Sequence, residues 1–199
     1  MDTEGPRKRV GRAERERQIL DAAIAVFGER GFQAASMDAV AERVGVTKPV
    51  LYTHFGSKDG LLEACVARAR AELLEVTTAA VAAAGTAEER MRAGTIAYFD
   101  FLAENERTWT LLYSESPSAG EALKAVRDQQ GELVAGYIRH YLPDVEPRRA
   151  SAWAHVVVGA CEQLAHWWDD HQDTTSAELA GYLMDMVWDG LGARPRVEA

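Results

Sequence analysis

A chain of 199 residues has room for one ordinary domain and a small second unit, and with 47% hydrophobic and 27% charged residues it is neither a disordered chain, a collagen repeat nor a coiled-coil rod. The longest uncharged run, Val76 to Ala87, is mostly Ala, Thr and Gly and falls short of the roughly 18 strongly apolar residues of a membrane span; Met1 to Arg17 lacks the apolar stretch of a secretory signal, so no membrane contact and a cytoplasmic location are expected. The formal net charge of −9 hides an asymmetry, since residues 1–58 carry 10 Lys/Arg against 8 Asp/Glu whereas residues 59–199 carry 12 against 23, so only the first segment can face a polyanion.

Residues 1–13, with Arg7, Lys8, Arg9 and Arg12, form a flexible basic arm or a solvated tail. Ile19, Leu20, Ala23, Ile24, Val26 and Phe27 then recur at helical spacing and predict a first helix over 14–30, with Gly31 as its stop. Ser36 is placed to cap a second, short helix carrying Met37, Val40, Ala41 and Val44, which Gly45 closes. Thr47 opens a third short helix with Pro49 in its first turn, where a missing N–H costs nothing, and Gly56 ends it. Ser57 caps a long fourth helix that runs to about Ala84.

Three later starts carry the S/T-x-x-E capping spacing: Thr86 with Glu89, Ser118 with Glu121, and Thr175 with Glu178. A short helix near 107–114 and a long one from Pro147 to Asp170 bring the expectation to about nine helices. No segment alternates as a strand does, and the fold class is all-α. Cys65 and Cys161 stand alone, with no CxxC spacing, and are expected to be buried small apolar residues.

The second and third helices, joined through Gly45, have the form of a helix-turn-helix, whose second helix enters the DNA major groove. On that helix Lys48, Pro49, Tyr52 and Thr53 share one face, while Leu51 and Phe55 share the other and can anchor in a core. Lys48 suits guanine O6/N7, Thr53 a base edge or phosphate, and the Pro49 ring with Val50 a thymine methyl. Tyr52, His54 and Lys58 offer donors to phosphates, as do the N–H groups beside Ser36.

The segments Ile19-Leu20-Asp21-Ala22-Ala23, Phe27-Gly28-Glu29-Arg30-Gly31-Phe32, Ser36-Met37-Asp38-Ala39-Val40-Ala41, Gly45 to Phe55 and Ser57-Lys58-Asp59-Gly60-Leu61-Leu62 together resemble the amino-terminal domain of the tetracycline-repressor (TetR) family of bacterial regulators. The resemblance covers residues 14–66. It implies a three-helix DNA-binding domain over 14–58, a homodimer on a palindromic operator, and a variable helical domain over 59–199 for effector binding and dimerisation, with the fourth helix, about 58–84, as the link. The family's recognition positions fall on Thr47, Lys48, Pro49, Tyr52, Thr53 and His54, its phosphate-binding lysine on Lys58, and its second-helix cap on Ser36. Asp38 departs from a DNA-facing pattern, because its carboxylate suits the helix dipole but repels a nearby phosphate.

Beyond the resemblance, aromatics crowd Tyr98 to Trp188, and a ligand cavity is expected among Phe101, Trp109, Tyr113, Tyr137 and Trp153. The acidic body favours a neutral or cationic, lipophilic effector. Val158, Cys161, Ala165 and Trp168 on one helix, and Leu179, Leu183, Met186, Val187 and Leu191 on the last, form apolar stripes expected to pair between subunits. Glu162, His166 and Asp170 share a helix face but lack the paired Glu-x-x-His spacing of a bundle metal site, and are expected to be exposed or dimer-edge polar residues. No nucleophile elbow or phosphate loop is present, so no enzyme, cofactor or metal is expected. The expected function is a repressor released from its operator by a small effector. The alternatives are a DNA-organising protein without a ligand, or a helical-bundle enzyme or carrier.

Overall fold

The computed structural model describes residues 11–106 and 117–188, in eight helices and no strand. They are α1 (Arg12–Arg30), α2 (Met37–Val44), α3 (Lys48–Phe55), α4 (Lys58–Ala83), α5 (Ala87–Glu104), α6 (Pro117–Tyr141), α7 (Pro147–Asp169) and α8 (Ser176–Val187). The further helix expected near 107–114 lies outside the described residues, as do most of the basic arm, Trp109, Tyr113 and Leu191.

Local chemistry sets most of the boundaries. The Ser36 hydroxyl accepts from the Ala39 N–H at 3.2 Å, and Ser57 accepts from Gly60 at 2.9 Å. Thr86 with Glu89 and Thr175 with Glu178 each close a reciprocal capping box. Gly45 turns the chain between α2 and α3 with φ 73° and ψ 37°, and its N–H reaches the carbonyls of Ala41 and Glu42. That left-handed geometry satisfies orphan carbonyls of α2 and favours a residue without Cβ.

Helix α1 buries Ile19, Leu20, Ala23, Val26 and Phe27 against α2 and α4. The bidentate Arg43–Glu29 pair, at 2.7 and 2.8 Å, ties α2 to α1, and Arg68 on α4 meets Asp21 on α1 at 2.8 Å. Helix α4 then continues into the body, packing on α5 and α6. Gln129 of α6 donates to the Arg70 carbonyl of α4 at 2.9 Å. Helices α6 and α7 pair, and α8 lies on α5.

One apolar cluster runs from Ile19 and Phe27 through Leu61, Leu62, Cys65 and Leu73 to Phe99, Leu123, Val157, Leu179 and Leu183. The amino-terminal helices and the body therefore share a core, and α4 is the element that carries it across. Both cysteines lie in that core as free thiols, as expected. No helix among the described residues is long and apolar enough to cross a membrane.

Candidate functional site

The third helix divides its side chains as its spacing predicts. Leu51 is fully buried and Phe55 packs on the core, while Thr47, Lys48, Pro49, Tyr52, Thr53 and His54 are exposed. Tyr52, a large ring at 45% exposure, suits a contact made with something outside the chain. Thr53 returns its hydroxyl proton to the Pro49 carbonyl at 2.8 Å, leaving oxygen lone pairs outward. The face is short, polar and mounted on a buried anchor.

Two lysines are placed differently from what their types alone imply. The Lys48 ammonium sits 2.7 Å from the Asp38 carboxylate across the α2–α3 angle, and this hydrogen-bonded partner holds the lysine pKa above its ordinary value. Lys48 is thus pre-positioned by Asp38, both groups remaining solvent-accessible. Lys58, expected on a phosphate, instead donates to the carbonyls of Phe32, Gln33 and Ala35 at 2.8, 3.1 and 3.1 Å and lies 4.6 Å from the Phe32 ring centroid. An ammonium has three donors, and all three are used. In this structure Lys58 pins the α1–α2 connection, because three carbonyls converge where its stem emerges from α4.

Gly60 is a position whose role the pattern of the sequence does not reveal. A Cβ there would stand 2.2 Å from the Phe55 carbonyl oxygen, so only glycine lets the first turn of α4 close onto the end of α3. The signal is the glycine itself, in the first turn of a helix where it costs stability.

In the body, two adjoining cavities lie between α4, α5, α6, α7 and α8. The inner one, about 80 Å³, is lined by residues including Thr77 and Val81 of α4, Thr95 and Tyr98 of α5, Gln130 and Tyr137 of α6 and Cys161 of α7. The outer one, about 590 Å³, is bounded by Tyr141, Leu142, Trp153, Val156, Met186 and Trp188 among others, and shares Met91, Tyr137 and Val157 with the inner. Of the expected ligand residues, Tyr137 lines both cavities and Trp153 the outer. Phe101 does not join them, being buried in the core at 7% exposure, and Trp109 and Tyr113 fall outside the described residues.

The charge expectation also changes. Among the described residues no carboxylate lines either cavity, and the one charged lining residue is Arg90, whose Nε donates to the carbonyls of Ala84 and Gly85 at 2.9 and 3.1 Å. Glu162, expected exposed or at a dimer edge, is buried and takes both Oε atoms to the Arg127 Nε, at 2.7 and 2.9 Å. The acidity of the body lies outside the cavities, so a cationic ligand has no counter-charge there.

Comparison with known proteins follows this geometry. Residues 19–65 match the model described as bacterial regulatory proteins, tetR family, and residues 87–190 match the tetracyclin repressor-like C-terminal domain. The chain belongs to the TetR family. It is 31% identical over 193 residues to the HTH-type transcriptional activator FasR of Mycolicibacterium smegmatis, covering 94% of this chain and 87% of that one. A TetR-like transcriptional regulator from Rhodococcus sp. RHA1 superposes with a TM-score of 0.75 at 30% identity, over 94% of this chain and all of that one. The Bacillus subtilis regulator FadR, solved in complex with stearoyl-CoA, shares the fold with a TM-score of 0.76 at 17% identity, over 88% of this chain and 98% of that one. The helix-turn-helix face described above is therefore that of a TetR-family transcriptional regulator.

In a TetR-family body the apolar stripes expected between subunits turn out to point inward. Cys161, Ala165 and Leu183 are buried within the chain, and Trp168 packs edge-on against Phe99 at 6.0 Å and donates its indole N–H to the Thr174 carbonyl. Val187 also leans on the core. Met186 is exposed, at 53%. The outward apolar face is formed instead by Trp153, Val156 and Trp167 of α7 with Tyr182 and Met186 of α8. Periodicity finds the amphipathic helices but not which apolar side packs within the chain, because α7 and α8 are apolar on two faces.

Proposed function

We propose that this TetR-family regulator is a homodimer that reads a palindromic operator through α3 and releases it when a small lipophilic effector occupies the body. The observation that supports this most is the course of α4. Its first turn abuts the end of α3, and one continuous helix later Thr77 and Val81 wall the inner cavity. A ligand that displaces the far end of α4 moves the reading head at the near end.

Lys48, Pro49 and Thr53 are placed for base edges, with Thr47, Tyr52, His54 and the Ser36-capped start of α2 for phosphates. Two-fold pairing through the outward face of α7 and α8 would set two α3 helices about 34–36 Å apart, or at a related spacing on one side of the duplex. The effector's action is bounded by its differential affinity for the two spacings. Stearoyl-CoA in the FadR structure has a lipophilic tail, in keeping with the apolar outer cavity here. Repression is expected where the operator overlaps a promoter; the relative FasR carries the name of an activator, and the same binding upstream of a promoter gives that sign.

Selection of bound duplexes from a random pool, followed by footprinting, tests the reading. A palindromic motif protected on one face of the helix is the expected result, with Tyr52→Ala weakening all duplexes alike and Lys48→Ala relaxing preference at one base pair per half-site. Selection of no motif at low salt would sink the proposal.

A further inference from the structure

Resting on that effector reading, we infer that the inner cavity is a seat for one uncharged oxygen acceptor of the effector, a ketone, ester, lactone or amide carbonyl, held jointly by Gln130 and Tyr137. Both residues line the inner cavity. Gln130 is 7% exposed, and its Nε2 is buried with no hydrogen-bond partner among the described residues; the Tyr137 hydroxyl is in the same condition. Burial first, then the neighbouring Tyr141 hydroxyl, raises the Tyr137 pKa against the smaller opposing effect of Arg90, so the phenol keeps its proton and can donate it.

A buried donor without a partner costs far more than an ordinary hydrogen bond returns, and native proteins carry few. Two such donors lining one cavity define a complementary group, an oxygen with two lone pairs and no proton to give. The threonines do not compete for it. Thr77 and Thr95 spend their hydroxyl protons on the carbonyls of Leu73 and Met91, while Arg90, tied by its Nε to the turn before α5, keeps its guanidinium beside the Tyr137 phenol. A carboxylate would give up its hydration for two neutral donors and the Arg90 guanidinium, whose Nε is already engaged by the Ala84 and Gly85 carbonyls, a poorer exchange than a carbonyl makes. An ammonium would find donors facing donors.

Size divides the ligand in the same way. About 80 Å³ holds two or so waters, or one small functional group. The adjoining cavity of about 590 Å³ lies in the range of small-molecule sites and has no charged lining residue among the described residues. Met91, Tyr137 and Val157 belong to both walls, so a molecule with its oxygen on Gln130 and Tyr137 extends past them into the outer cavity. The oxygen end also touches Thr77 and Val81 of α4, which places recognition of the functional group on the helix that leads to α3.

The test uses the full chain and three ten-carbon probes that differ at one end, decan-2-one, decanoic acid and decylamine, titrated by tryptophan fluorescence and calorimetry. Decan-2-one should bind tightest. Tyr137→Phe and Gln130→Leu should each weaken it about tenfold, the loss of one hydrogen bond, while leaving operator binding intact. Each variant should also raise the melting temperature of the ligand-free protein, since an orphan donor is removed at nearly constant volume. Ketone affinity unchanged in both variants overturns the seat, as does decanoic acid or decylamine binding tenfold tighter than the ketone. If no probe binds while the operator is still bound, the effector chamber itself falls, and the seat falls with it.

Discussion

Asp38 and Lys48 meet at 2.7 Å on the surface proposed to face DNA, with side-chain exposures of 65% and 45%. The pair is too exposed to matter for stability, but it removes one free positive charge from the reading face and orients another side chain. Asp38→Ala should therefore raise affinity for random duplexes and steepen the dependence of log K on log salt by nearly one unit, while operator preference narrows; fluorescence anisotropy at several salt concentrations reads both. An unchanged slope would show that Lys48 reaches phosphate in the wild type despite its partner. The two thiols make a prediction of a different kind. Burial pushes both Cys65 and Cys161 up to about 12, whereas an unfolded thiol ionises near the ordinary value. Because the folded pKa is the higher one, the stability from protonated thiols is complete below pH ~8.5 and is lost as the pH rises from there towards 12. Urea midpoints measured from pH 7 to 11 should fall at the alkaline end, and less steeply in Cys65→Ala and Cys161→Ala. An alkaline limb identical in all three proteins would assign the loss to other groups.

At the scale of helices, what was legible is what is local. The capping boxes at Thr86 and Thr175 and the cap at Ser36 follow from residues three apart, and the sequence places all three helix starts within a residue. The burial of Leu51 beneath exposed Lys48, Pro49, Tyr52 and Thr53 follows from helical periodicity alone. Contacts between elements were not legible. Lys58 has the charge and position of a phosphate ligand, and nothing in its neighbours announces three carbonyls contributed from residues 32, 33 and 35. Phe101 has the composition of a pocket residue and is core, whereas Gln130, unremarkable in a polar stretch of α6, is buried at the cavity. Gly60 shows the same limit, since its requirement arises where α4 abuts α3. Gly60→Ala places a methyl 2.2 Å from the Phe55 carbonyl, a backbone atom that cannot swing aside. A cost of about 1–3 kcal/mol is expected in urea unfolding, although alanine is the better helix former. Operator affinity should drop further than that loss of stability explains, because the α3–α4 angle must open. A variant as stable as wild type would mean that the junction relaxes freely.

For the whole molecule, the question is which side of α7 and α8 another subunit covers. Trp153, Val156 and Trp167 recur on one face of α7, Tyr182 and Met186 on one face of α8, and Trp167 joins the two helices by an edge contact with Tyr182 at 6.2 Å while stacking on His171 of the connecting turn at 3.7 Å. Leu183, next along the chain from Tyr182, is 1% exposed and belongs to the core. Neighbouring positions therefore separate assembly from folding. Trp167→Glu with Tyr182→Glu leaves the core and both cavities untouched, and should give a monomer that melts as a folded helical protein and binds half-sites weakly. Leu183→Arg instead buries a charge among apolar neighbours, at a cost of several kcal/mol, and should unfold the body at any concentration. Sedimentation velocity at micromolar concentration, paired with circular-dichroism melts, distinguishes the two. Should the double variant remain a dimer, the subunits pair through another surface, and the spacing of the two α3 helices must be sought there.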